Sequence, residues 1–391
     1  MIKNVVVLGS TGSVGSSSLT VLKKNKNYKI LLLTTKSNVQ KIFNQAIKFK
    51  VKNVIIEDKK KYFNYKKKFK LKKINLYLGI KNIKKILKLK KIDYVINSIS
   101  GIDGLEPTLN IIPYTKNILI ANKETIICGW DIIKKKLIKF KTNFVPIDSE
   151  HFSIWKLIKN EPKSTIDRVI LTASGGPFLH KTKRNLSNID PKDALKHPNW
   201  KMGKKISIDS ATMMNKIFEY IEALKIFDLK KKYISILIQP SSFIHAIVFF
   251  KHNIIKFLAH ETNMTIPITN ALQINEIDRQ NINKNLLKNF NEIKFLVPEK
   301  KKFPLLSIID LIPESPSYFE TILITINDNL VYKYLDGQIN YKSIQMNILR
   351  LINKPYLSKY YKLKPKNIYD IKKMITITKK YLEGNIKFYD K

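Results

Sequence analysis

The chain has 391 residues, 44% of them apolar, which is too long for one ordinary core and too apolar for a disordered tail. No apolar run reaches the roughly 18 residues that a membrane-spanning helix needs. The charge of +42 is almost all lysine, with Arg168, Arg184, Arg279 and Arg350 the only arginines among 72 basic residues, which argues against a surface built to read nucleic acid through arginine forks.

Lysine is spread along the chain beside abundant Ile, Asn, Phe and Tyr, the pattern of drift toward A·T-rich codons. Neither a nucleic-acid nor a membrane partner is therefore expected. Short β-branched runs at 2–8, 28–34, 53–57, 93–99, 117–121 and 143–147 read as strands, with amphipathic helical stretches mostly between them. That alternation predicts a doubly wound, Rossmann-like parallel sheet. The first strand starts directly after Met1, so no secretory or transit segment is expected, and the lone Cys128 excludes an intramolecular disulfide. A reducing cytoplasm follows as the expected location.

The first strand runs into Gly9-Ser10-Thr11-Gly12-Ser13-Val14-Gly15 and then a helical pattern. Gly9 and Gly12 permit a tight turn whose backbone N–H groups approach a pyrophosphate, and Gly15 lets the helix lie close to the sheet. The second strand ends in Thr34-Thr35-Lys36-Ser37-Asn38, without the acid that grips a ribose 2′-hydroxyl in NAD sites. A cation with hydroxyl and amide donors suits a 2′-phosphate, and hence NADP.

Asp148-Ser149-Glu150 follows the last of these strands. An extended course there would aim residues 148 and 150 to one side. Further on, Ser174 stands in the glycine-rich turn Thr172–Phe178, and His197-Pro198-Asn199-Trp200-Lys201-Met202-Gly203 reads as a mobile loop with apolar cover. In Asp209–Glu219, Ser210 is read as a helix N-cap, and Met214, Ile217, Ile221 and Leu224 as a buried stripe. Asn215, Lys216 and Glu219 then share one helix face. Carboxylates at 148, 150 and 219, with no Cys or His cluster, suit a hard cation such as Mg²⁺ or Mn²⁺. Pro298, Pro304, Pro313 and Pro316 punctuate a linker, beyond which helical patterns dominate. The expected organisation is an N-terminal nucleotide-binding domain at 1–149, a central α+β domain at 150–290, a linker at 291–317 and a C-terminal helical domain at 318–391.

Taken together, GSTGSVG at 9–15, LIANKE at 119–124, PIDSEH at 146–151, TASGGPF at 172–178, HPNWKMGKKISIDSATMMNK at 197–216 and QPSSFIH at 239–245 resemble the 1-deoxy-D-xylulose 5-phosphate reductoisomerase family. The resemblance runs in order from residue 1 to about 270. It implies a homodimeric oxidoreductase that rearranges and reduces a sugar phosphate to 2-C-methyl-D-erythritol 4-phosphate, in non-mevalonate isoprenoid precursor synthesis. NADPH and Mn²⁺ or Mg²⁺ are the implied cofactors, with Co²⁺ a further candidate. Carried over by motif, Asp148, Glu150 and Glu219 would ligate the metal. Ser174, Ser210, Asn215 and Lys216 would hold the substrate phosphate, while Ser149, Lys123 and His197 would contact its reacting portion. Lys123, Glu150 and His197 are the implied catalytic residues, and Glu150 and Glu219 would also touch substrate. Thr11, Gly12, Ser13, Val14, Lys36, Ser37, Asn38, Asn122, Lys123, Glu124 and Gly203 would bind NADPH. Trp200 and Met202 would lie on a loop closing over the substrate.

The chain departs from the family around Lys36 and Ser37, at Thr262-Asn263-Met264-Thr265, where an Arg is lost, and at Leu323–Asp328, which keeps one Asn and an acid of the family motif. Other readings are another NADP-dependent oxidoreductase, such as a semialdehyde dehydrogenase, and an eroded family member with little turnover. The former needs a nucleophilic Cys, and Cys128 lies in none of the motifs.

Overall fold

A computed structural model describes residues 2–87, 92–181, 189–200, 202–274, 290–291 and 293–387; Lys201 of the loop motif lies outside them. The chain divides into two compact units. One comprises Met1–Ile126, Trp130–Phe152 and Asn263–Asn281, and the other Ile127–Gly129, Ser153–Thr262 and Ile282–Lys391.

The first unit is built on seven strands: β1 (Lys3–Leu8), β2 (Tyr28–Thr35), β3 (Asn53–Ile56), β4 (Asn75–Leu78), β5 (Ile92–Asn97), β6 (Thr115–Ile120) and β7 (Asn143–Pro146). They pair in parallel, in the order β4-β3-β2-β1-β5-β6-β7. Val5, Val6, Val7 and Leu8 are fully buried, as a strand covered on both faces requires, which is why it reads as a continuous apolar run. The expected strands all form, with ends shifted by a residue or two. The edge strand β4 was not expected. Its residues are exposed or half-buried, so Asn75-Leu76-Tyr77-Leu78 carries no strong apolar signal. The strand order reverses between β1 and β5, and ligand crevices in open parallel sheets form at such a point, at the strands' C-terminal ends. Helices α1 (Ser13–Lys23), α2 (Val39–Lys48) and α3 (Lys123–Phe140) start at the C-terminal ends of β1, β2 and β6.

The second unit holds a mixed sheet of β8 (Ile166–Ala173), β9 (Ile234–Ile238), β10 (Ile244–Phe250) and β11 (Ile255–Ala259), in the order β11-β10-β8-β9. Only the β8–β9 pair is parallel. Helices α5 (Lys204–Ala211) and α6 (Met214–Phe227) precede β9, while α7 (Phe319–Leu335), α8 (Tyr341–Ile352) and α9 (Ile368–Glu383) make the C-terminal helical region. Met214, Ile217 and Ile221 are buried along α6 as the stripe predicted, and Leu224 is half-buried. Helix α4 (Ser149–Ile158) follows β7. Among the described residues no helix is long and apolar enough to cross a membrane.

Candidate functional site

In the first unit the glycine turn forms as its spacing demands. Gly9 has a φ of +74°, and a Cβ there would lie 2.8 Å from the Ser98 carbonyl at the end of β5. A Cβ on Gly15 would meet the Gly9 carbonyl at 2.4 Å, so only glycine lets α1 sit this close to the turn. Gly12 and Ser13 are exposed, and Thr11 and Val14 half-buried, at the start of α1. The donors at this helix end suit an anionic group.

At the end of β2, Lys36, Ser37 and Asn38 are all exposed. Asn38 caps α2, accepting from the Lys41 N–H at 3.3 Å. Lys36 pairs with Asp103 at 3.1 Å. No acid follows β2 in sequence, yet the fold brings one from the segment after β5. Two further cations escaped the linear reading. The Lys41 Nζ donates to the Thr11 carbonyl at 2.8 Å, and the Lys61 Nζ to the Ser37 carbonyl at 2.8 Å. Lys41 stands three residues after the cap, in the first turn of α2, which is the signal that was available.

Asn122, Lys123 and Glu124 are buried where β6 passes into α3. The Asn122 side chain accepts from the Thr125 N–H at 2.7 Å and donates to the Gly101 carbonyl at 2.6 Å, tying the helix start to the loop after β5. Lys123 lies 2.9 Å from Asp148. Burial alone would raise the Asp148 carboxyl, but the Lys123 ammonium and the His151 ring 3.2 Å away overcome it and hold the group well below the usual carboxylate range. The extended course expected for residues 148–150 is not what forms. The Asp148 carbonyl accepts from the Phe152 N–H at 2.8 Å, and Ser149 opens α4. The acids at 148 and 150 thus flank a helix N-terminus, whose dipole favours negative charge. Pro146 ends the strand, and the polar Asp-Ser pair then caps more readily than it extends. Ser149 donates to the Glu150 carboxylate.

In the second unit, the His197 Nδ1 accepts from the Asn199 and Trp200 N–H groups at 3.2 and 2.9 Å. A neutral ring then carries its proton on Nε2, which donates to the Ser174 hydroxyl at 3.0 Å. The Ser174 oxygen also accepts from the Gly176 N–H at 3.1 Å, leaving its own O–H to offer to an anion. Gly176 has a φ of +69°, and a Cβ there would meet the Ser210 carbonyl at 3.0 Å, so the Ser174 turn lies against the end of α5. Ser210 is not the N-cap expected of it. It sits in the last turn of α5, and the chain reverses through Met213 (φ +64°) before α6 begins. Ser207, Ile208, Asp209 and Ala211 are buried along α5, and that packing extends the helix past the polar pair that read as a cap.

The shared face on α6 forms as expected. Asn215 and Lys216 both donate to the Glu219 carboxylate, and Lys216 and Glu219 are almost wholly buried. Gly203 is exposed just ahead of α5. A buried polar set escaped the reading too. His245 stacks on His260 with ring centres 3.8 Å apart, and Trp200 stands edge-on to His245 at 6.0 Å. No spacing rule pairs a strand residue with one just past the next strand and one in a loop.

Three family models match the chain. They are described as 1-deoxy-D-xylulose 5-phosphate reductoisomerase at 5–129, the C-terminal domain of that enzyme at 144–227, and DXP reductoisomerase C-terminal domain at 260–390. A 1-deoxy-D-xylulose 5-phosphate reductoisomerase of Pelagibacter ubique is 46% identical over 375 residues, covering 95% of this chain and 96% of its own. One of Wolbachia pipientis is 37% identical, covering 88% of each. A reductoisomerase crystallised with NADPH, fosmidomycin and magnesium superposes with a TM-score of 0.90 at 29% identity over 98% of both chains. The Zymomonas mobilis reductoisomerase bound to NADPH gives 0.86 at 26% identity, over 97% of both.

Proposed function

The chain belongs to the 1-deoxy-D-xylulose 5-phosphate reductoisomerase family, and from that membership we infer which of its residues carry the reaction. It is an NADPH-dependent oxidoreductase that rearranges and reduces 1-deoxy-D-xylulose 5-phosphate, with a divalent metal as its second cofactor. The observation that carries the residue assignment is the pairing of Lys123 with Asp148, which keeps a largely covered carboxylate ionised where β7 ends.

The donor chemistry fits both cofactors. Asp148, Glu150 and Glu219 each offer a carboxylate oxygen, a hard set for Mg²⁺ or Mn²⁺. Glycine at 9 and 15 lets the β1 turn pack against the Ser98 backbone and the start of α1 pack against the turn, closer than any Cβ would allow, the tight strand–turn–helix that a dinucleotide's phosphates require. When bound, the metal supplies Lewis acidity and the dinucleotide a hydride. The residues then divide the work. Thr11, Gly12, Ser13 and Val14 hold the dinucleotide's phosphates, and Lys36, Ser37 and Asn38, with Asn122, Glu124 and Gly203, hold the rest of it. Ser174, Ser210, Asn215 and Lys216 hold the substrate phosphate, which the reaction leaves unchanged, so its binding energy serves to align the reacting carbons. Family membership assigns Ser149, Lys123 and His197 to the reacting portion of the substrate, and Lys123, 2.9 Å from Asp148, can also orient that carboxylate. Trp200 and Met202 exclude water when the loop closes.

A homodimer and a cytoplasmic location complete the proposal. The outer strand β11 supports the first, because Ile255 and Phe257 on one face of an edge strand are 55% and 47% exposed. The lone Cys128 supports the second.

The assignment is tested by following NADPH oxidation on addition of 1-deoxy-D-xylulose 5-phosphate at limiting Mn²⁺. Glu219→Gln keeps shape and removes one charge, and turnover is expected to fall at least ~100-fold, since Lewis-acid stabilisation is worth several kcal/mol. Near-normal turnover in that variant would remove Glu219 from the metal ligands.

A further inference from the structure

The C-terminal helices grip α5 up to its last residue through largely buried polar bonds. Asn327 on α7 donates to the Asp209 carboxylate at 2.7 Å. Lys205 bridges Asp209 at 3.2 Å and Asp328 at 2.9 Å. The Tyr341 hydroxyl, at the start of α8, donates to the Ala211 carbonyl at 2.7 Å. Carbonyls in a helix's last turn lack intrahelical partners, and this hydroxyl supplies one to α5. The Tyr341 ring also meets Phe178 edge-on, with centres 5.4 Å apart, and Phe178 belongs to the Ser174 turn. Tyr341 therefore touches both stretches that carry candidate phosphate ligands. Only Thr212 and Met213 separate its acceptor from α6, whose first turn presents Asn215 and Lys216. With Met213 in the left-handed region, that junction has little freedom to absorb a shift of Ala211.

We propose that Tyr341 and Asn327 are positioning residues for the substrate phosphate, fixing the α5–α6 corner and the Ser174 turn relative to each other from the C-terminal helical region. The inference rests on the assignment of Ser174, Ser210, Asn215 and Lys216 to that phosphate. Tyr341 and Asn327 are buried with their polar atoms turned to the Ala211 carbonyl and the Asp209 carboxylate, so each acts through another residue. Burial, with Tyr334 nearby, raises the Tyr341 hydroxyl far above its ordinary value, so it stays a neutral donor throughout the working range.

The test uses full-length enzyme and the variants Tyr341→Phe and Asn327→Leu, with Lys216→Ala as a reference. KM for sugar phosphate, KM for NADPH, kcat and Tm are measured on each. Tyr341→Phe keeps the ring and loses the bond to the Ala211 carbonyl, so KM for the sugar phosphate is expected to rise roughly three- to tenfold with KM for NADPH unmoved. Combined with Lys216→Ala, its effect should be less than additive, because both variants act on one binding interaction. Should Asn327→Leu fail to fold, Asp328→Asn removes the Lys205 pair at a partly exposed carboxylate. A lower Tm with both KM values unchanged would mean a purely structural role and overturn the proposal. If Lys216→Ala itself leaves KM for the sugar phosphate unchanged, the phosphate assignment is wrong and this inference falls with it.

Discussion

Lys123 and His151 outweigh the burial of Asp148 and hold its carboxyl well below the usual carboxylate range, while Asn215 and Lys216 both donate to the buried Glu219 carboxylate. A buried carboxylate without such partners would take up a proton more readily. The exposed cations follow another rule. Lys36 and Asp103 are 79% and 64% exposed at the side chain, so their pairing is weak and readily exchanged. A 2′-phosphate would compete with Asp103 for the same ammonium. Lys36→Ala is therefore expected to narrow the ratio of kcat/KM for NADPH over NADH by about two- to fivefold, and Asp103→Asn to widen it by a similar factor, the scale of an exposed ion pair. Steady-state kinetics with both cofactors checks this. A preference that ignores both changes would shift attention to Lys41 and Lys61.

Among the elements, α1 shows how a helix is positioned by what it lacks. Its first turn carries Gly15 against the Gly9 carbonyl and Ser10, so the helix N-terminus comes as close to the β1 turn as backbone permits. Gly15→Ala forces the two apart. We expect a loss of about 1–3 kcal/mol, typical of overpacking, and a higher KM for NADPH with KM for the sugar phosphate little changed. Urea denaturation together with kinetics on both substrates separates these effects. If stability falls and KM for NADPH does not, the turn shapes the fold without gripping the cofactor. Helix α6 makes the converse point, since helical spacing brings Asn215, Lys216 and Glu219 together and the apolar stripe fixes the roll of that face.

At the scale of the whole molecule, β11 is an edge strand with an apolar face, an arrangement that a soluble monomer would usually blunt with charge. Phe257→Lys places a cation on that face without disturbing backbone pairing. Sedimentation at micromolar concentration is expected to give a dimer for the natural chain and a shift toward monomer for the variant. Unchanged dimer would put the interface elsewhere. The large net charge acts at the same scale, as a general field that attracts anionic cofactor and substrate while adding no specificity of its own.

Local pattern in the sequence was enough for the parallel sheet, the glycine turn and the Asn215–Glu219 face, because each is encoded within a few residues by apolar period, backbone freedom or helical spacing. It was not enough for β4, a half-buried edge strand held by its pairing with β3. The course of the chain at Asp148 and at Ser210 was also settled by folding. Ser149 starts a helix once the acids have somewhere to turn, and Ser210 ends inside α5 because the buried face around Asp209 extends that helix. Lys36 meets an acid 67 residues away, and Tyr341 reaches a carbonyl 130 residues before it. No local window contains such pairs. They exist only once sheet order and helix packing have closed the intervening loops, so the residue types of the candidate site could be proposed from the sequence and their bonding partners could not.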